Sequence, residues 1–225
     1  MLDVGAWMFF MLPRNSMAQI LKFPVQASKL GYKRVRKRGQ IAESQNQLHL
    51  FSPLTAQILD FAPDLSRFEQ ALLFDERGDA KAAELYSKAI AENDCVADAY
   101  CNLGIIESQK GNTAKAFDCF TTSLKHDPRH SESHYNLGNL YFDGNDLRCA
   151  LIHYQMAVAV APAFPNVYFN LGLVQALNND LDAAVISLST YQELVPEDEG
   201  RIAEELLHNL KKSLAGAKPS RLGAT

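Results

Sequence analysis

From Ala97 onward, apolar and polar positions recur with a period of 34 residues, in three blocks that start at Ala97, Ser131 and Pro165 and align without gaps. Each block carries Asn-Leu-Gly, at Asn102-Leu103-Gly104, Asn136-Leu137-Gly138 and Asn170-Leu171-Gly172. An alanine follows twelve residues after each glycine, at Ala116, Ala150 and Ala184, and a proline closes each block, at Pro128, Pro162 and Pro196. Self-similarity at such a period marks a fold built from one supersecondary unit stacked on copies of itself. Proline lacks a backbone donor and ends a helix at little cost, so the three prolines predict the end of a second helix in every block. Antiparallel helices approach closely only where a small residue faces a bulky one. The glycines are therefore expected to receive Phe120, Tyr154 and Leu188 from the partner helix.

A fourth, degenerate unit precedes these blocks. Ala71 takes the place of the glycine, Gly78-Asp79 forms the mid-repeat turn, Ala82, Tyr86 and Ala89 pack the second helix, and Asp94 stands where proline would be. After the last block, Ile202, Leu206, Leu207 and Leu210 fall at helical spacing on one side, with Glu204, Glu205, Lys211 and Lys212 elsewhere. That pattern predicts a capping helix over 199–214, which a stack of helix pairs needs to close its last apolar face.

The spacing of the aromatic, Leu-Gly, second aromatic, mid-repeat alanine and final proline resembles the tetratricopeptide repeat family. The resemblance implies an all-α fold: a right-handed α-solenoid of four repeats (64–96, 97–130, 131–164 and 165–198) with the cap behind them and a disordered tail over 215–225. It also implies a concave wall lined by the first helix of each repeat, which usually captures a peptide. Asn102, Asn136 and Asn170 recur at full period and so point the same way. An amide offers both a donor and an acceptor, which suits gripping an extended backbone without reading its side chains. This resembles the asparagine ladder of O-linked N-acetylglucosamine transferases and of some nuclear import adaptors. The other reading is that each asparagine bonds within its own repeat. Tyr135, Asn139, Phe142, Asp143, Asn166, Phe169 and Leu173 are expected on the same face, with Asp98 and Glu132 at its edge, a mixture that favours a neutral or basic peptide. The basic clamp by which chaperone-binding members hold a C-terminal carboxylate is not expected, because its places hold Phe68, Leu72, Glu132 and Asn136, and only Asn102 fits.

Charge divides the chain at the start of the repeats. Residues 1–63 carry eight Lys/Arg against three Asp/Glu, whereas 64–225 carry fourteen against twenty-three. The first part therefore reads as a basic, largely disordered arm of which 1–16 precede an alternative start at Met17. Its densest stretch, Lys29 to Arg38, includes Lys33, Arg34, Arg36, Lys37 and Arg38. Beyond a solvated tail, such a stretch could contact nucleic-acid phosphates, anionic lipid or the chain's own acidic repeats. The cluster Gln47-Leu48-His49-Leu50-Phe51 follows. Its Gln47, Leu48, Leu50 and Phe51 resemble the peptide by which bacterial proteins dock on the replication sliding clamp, and packing in cis is the alternative.

The sequence shows no catalytic arrangement and calls for no cofactor. His126, His130 and His134 fall at four-residue intervals, but Pro128 interrupts any helix that would align them as metal ligands. The cysteines, Cys95, Cys101, Cys119 and Cys149, fit neither metal knuckles nor a disulfide framework, and with no membrane span they read as buried thiols of a cytoplasmic protein. Two functions remain: an adaptor that holds an extended protein segment, and a DNA-associated accessory protein using the basic arm and the clamp-like motif.

Overall fold

A computed structural model describes residues 30–35 and 65–217. The described residues fall into two compact units, one containing Gly31 to Pro162 and the other Leu30 together with the chain from Ala163.

The first unit holds three helix pairs: α1 (Arg67–Glu76) with α2 (Lys81–Ala91), α3 (Val96–Gln109) with α4 (Thr113–His126), and α5 (Ser131–Asp143) with α6 (Leu147–Val160). Successive pairs stack through α2 on α3 and α4 on α5. In the second unit α7 (Pro165–Leu177) pairs with α8 (Leu181–Leu194), and α9 (Glu197–Ala217) packs on α8. No helix among the described residues is long and apolar enough to cross a membrane.

The turn inside each pair is built alike. Gly78, Gly111, Asn145 and Asn179 adopt positive φ, a left-handed geometry that glycine and asparagine tolerate best. Asp146 and Asp180 then cap the next helix by accepting from the backbone N–H of Cys149 and Ala183. Each second helix in the three regular repeats ends two residues before its proline. The degenerate repeat uses other means. Ser66 and Glu69 form a capping box at the start of α1, and Asp94, in the proline's place, accepts from the Phe68 N–H at 2.7 Å.

The expected glycine contacts are present. A Cβ on Gly138 would lie 2.5 Å from the Tyr154 ring, and one on Gly104 would lie 2.7 Å from the Phe120 ring. Tyr154 and Phe120 are fully buried. The capping helix differs from expectation in extent and in face. It spans Glu197–Ala217 rather than 199–214, because Glu197, Asp198 and Glu199 fill a first turn that favours acids. Its buried apolar side chains are Ala203, Leu206, Leu207 and Leu210, while Ile202 is 48% exposed and lies off the packed arc.

Candidate peptide-binding site

In the first unit Gly31 to Val35 of the basic arm lie against α3 and α5, and in the second Leu30 lies against α7. In the first unit Asn136, on α5, closes two hydrogen bonds on one residue. The Lys33 N–H donates to Asn136 Oδ1 at 3.0 Å, and Asn136 Nδ2 donates to the Lys33 carbonyl at 3.1 Å. Asn102, on α3, treats Val35 identically, at 2.9 and 3.0 Å. Lys33 and Val35 are two apart, as they must be for an extended chain to show both backbone groups to one side. The Tyr135 hydroxyl donates to the Gly31 carbonyl at 2.8 Å. In the second unit Asn170, on α7, makes the same paired bonds to Leu30, at 2.6 and 2.9 Å. All three asparagines are completely buried. A buried amide without partners would cost about 1–3 kcal/mol, so these side chains are built to face another backbone.

Side chains of the segment are read as well. Val35 is 1% exposed, in a cluster with Cys101, Ile105, Phe120, Leu137 and Leu140. Burying it contributes roughly 1.5 kcal/mol by area. Tyr32 stacks on Phe120 with ring centroids 6.2 Å apart. Burial raises the pKa of the Tyr32 phenol, opposed by a hydrogen bond with Ser108. Arg34 Nε lies 2.9 Å from Asp75 Oδ2, and Arg34 Nη2 donates to Gln109 Oε1 at 3.2 Å. Asp75 is 5% exposed and also accepts from the Tyr86 hydroxyl at 3.1 Å, while Tyr86 in turn accepts from Asn102 Nδ2 at 3.1 Å. Burial raises the pKa of Asp75, and Arg34 and Tyr86 pull against that rise. One network thus ties a backbone-gripping amide to a charge-reading acid.

Two stretches of the chain match known repeat families: residues 97–130 the tetratricopeptide repeat, and 138–179 the TPR repeat. These stretches are tetratricopeptide repeats. Such stacked helix pairs form an interaction scaffold, and a protein or peptide is the kind of partner they take. Among solved structures, the crystal structure of the MamA protein is 19% identical with a TM-score of 0.50, covering 70% of this chain and 96% of that one. That likeness concerns the fold. The first TPR of Spaghetti (RPAP3), bound to the HSP90 peptide SRMEEVD, is 23% identical with a TM-score of 0.49, covering 53% of this chain and 93% of that one. No curated protein matches the chain.

Several side chains expected on the binding face of the repeats do other work. Asn139 Oδ1 accepts from the Tyr154 hydroxyl at 2.7 Å, toward the partner helix. Phe169 is fully buried with its ring 5.2 Å from Tyr191 on α8. Phe142 and Asn166 are half-buried. Arg34, a candidate phosphate contact, is engaged by Asp75, whereas Lys33 is exposed. Arg36, Lys37, Arg38, Gln47, Leu48, Leu50 and Phe51 lie outside the described residues. Of the positions compared with the chaperone clamp, Phe68 packs on Tyr86, Leu72 lies against the same cluster, and Glu132 accepts from the Ser131 hydroxyl.

The histidines serve the stack. His130 caps α5 by accepting from the Ser133 N–H at Nδ1, so its Nε2 carries the proton toward Asp98 Oδ1 at 2.9 Å. His134 Nε2 donates to the Pro128 carbonyl, which leaves its Nδ1 to accept from His153 Nδ1 at 3.2 Å. Burial, with the neighbouring imidazole, pushes His153 down to about 4 and lowers His134 as well. His126 stacks on Tyr100. Among the described residues no cluster of His, Cys, Asp or Glu could hold a metal ion.

Proposed function

We propose that the protein is an adaptor whose tetratricopeptide repeats hold an extended segment of a partner protein chiefly by its backbone. The observation that carries this reading is the repeated geometry of Asn102 and Asn136, each closing both a donor and an acceptor bond on one residue of an extended chain. A side chain that bonds N–H and C=O together accepts any residue type at that point, while the spacing enforces extension. Tyr135 adds a third backbone contact. The remaining reading of the asparagines, bonding within their own repeat, is disfavoured, since the bonds of Asn102 and Asn136 to the segment use both ends of each amide.

Panning a displayed peptide library against the full chain tests this reading. Peptides retained by the wild-type protein should be lost by the Asn102→Ala, Asn136→Ala double variant while its helical circular dichroism is unchanged. Equal retention by a correctly folded double variant would remove the proposal.

A further inference from the structure

The segment from Gly31 to Val35 is chemically uneven, and the surface beneath it matches that unevenness residue by residue. Its backbone is taken by amides that accept any sequence. Three of its side chains meet features that do not. Tyr32 lies flat on Phe120, Arg34 faces a carboxylate that is almost wholly removed from water, and Val35 fills an apolar cluster to 1% exposure. Asp75 is the most telling of these. A carboxylate at 5% exposure has lost most of its hydration and recovers it through a cation and a hydroxyl. A neutral or acidic residue opposite Asp75 would leave it with Tyr86 alone. Position 35 is similarly strict, because a polar group there would be buried among Ile105, Phe120 and Leu137 without a partner.

Building on the reading above, we infer that Gly31–Val35 is a pseudo-ligand. The first unit selects an extended segment in which an aromatic stands two residues before an arginine followed by an aliphatic residue, and a partner bearing that pattern must displace the chain's own copy to bind. Because the occupant is tethered to the scaffold, it competes at a high effective concentration, and an external peptide sees only the fraction of molecules whose segment has let go. Partner binding is thereby held weak until a stronger match or a second contact arrives. The repeated amides supply extension and register, and Asp75, Phe120 and the Val35 cluster supply choice.

The test uses the full chain and a fluorescent peptide of sequence Lys-Leu-Gly-Tyr-Lys-Arg-Val-Arg, followed by anisotropy. Two variants eject the tethered segment in different ways: V35D places a charge in the apolar cluster, and R34E sets an acid against Asp75. Both leave the scaffold helices untouched, and circular dichroism confirms that each folds. Either variant should bind the peptide at least about tenfold more tightly than the wild type, since loss of the competitor need only remove 1.4 kcal/mol of apparent cost. The same peptide with Tyr→Ala, Arg→Glu or Val→Asp should bind at least about tenfold more weakly. If neither variant gains affinity over the wild type, the pseudo-ligand is refuted. If the variants gain affinity but bind scrambled extended peptides equally, the inferred selectivity is refuted and the adaptor reading survives. Failure to bind a peptide of any sequence removes both. A wild-type dimer that the peptide dissociates would place the segment in a neighbouring copy and overturn closure in cis.

Discussion

The first helix pair and the two that follow it meet the docked segment in different ways. In α3 and α5, where the 34-residue pattern is strict, each helix contributes an amide that grips the segment's backbone, nearly the same twice over, beside apolar side chains that enclose Val35. In α1, where the pattern is degenerate, the equivalent of that asparagine is Glu69, which is spent on the capping box, and the contribution is instead the charge of Asp75. Asp75 stands four residues after Ala71, the register of Ser108 and Phe142 in the next two repeats. The amide that recurs is indifferent to the ligand's sequence, and the acid that departs from the repeat discriminates by charge. A repeat scaffold can thus keep a uniform grip while placing its charge selectivity where periodicity is broken.

The substitution with the largest expected effect strikes both halves of this division. Asn102 bonds Val35 and also the Tyr86 hydroxyl that supports Asp75, so Asn102→Leu removes the grip and the orientation of the acid together. A cost of about 3 kcal/mol is expected, the scale for stranding more than one buried polar group. Tryptic cleavage after Lys33 and Arg34, which follows the population of open segment, should rise on the order of 100-fold. Asn136→Ala breaks only the grip, and about 1–2 kcal/mol with roughly tenfold faster cleavage is expected.

Acid separates the charge from the amides. Arg34 favours the ionised form of Asp75, so the docked carboxyl has a lower pKa than the same buried carboxyl with the segment gone. Docking is therefore complete above the undocked pKa and weakens as pH falls through the docked one, which burial keeps above the ordinary 3.8, with Glu76 adding to the rise. Asp75→Asn should weaken docking at neutral pH by about 1 kcal/mol, modest because Arg34 is partly exposed, and should flatten its acid dependence. Fold stability responds separately. His134 and His153 are depressed below 6.5, so the stability they contribute is present above that value and is lost as pH falls toward about 4. A drop in Tm of a few degrees over that range, the same in Asp75→Asn as in the wild type, is expected.

The smallest effect is expected at Gly31. Tyr135 takes only its carbonyl, and a Cβ there would meet nothing within 4 Å. Gly31→Ala should change cleavage by less than about twofold, whereas a large change would mean that the segment is read more tightly than by its backbone at this position.

Much of this arrangement is legible in the sequence because residues at equal register on stacked helices point alike. That argument alone places the three asparagines and the glycine contacts. It stops where two neighbours share a register but differ in chemistry. Tyr135 and Phe169 each precede a ladder asparagine by one residue, and the Tyr135 hydroxyl reaches the segment, while Phe169, with no hydroxyl, stays in the core against Tyr191. Asn139 is drawn toward the partner helix because Tyr154 presents a hydroxyl there, which Phe120 does not do one repeat earlier. The docking of Tyr32, Arg34 and Val35 is a pairing between parts of the chain remote from one another in sequence. No local pattern encodes it, although an acid in the register of Ser108 and Phe142 is a signal that the charge reading could have used. The repeat prolines and the Gly/Asn-Asp turns, by contrast, act within a few residues of themselves and are read directly.

Amide hydrogen exchange of the full chain, resolved to single residues over the segment, tests the central claim most directly. The amides of Lys33 and Val35 should exchange far more slowly than in an open chain, and Asn136→Ala should release the Lys33 amide before it releases that of Val35. Open-chain exchange at both positions in the wild-type protein would contradict the claim that Asn102 and Asn136 hold an extended backbone.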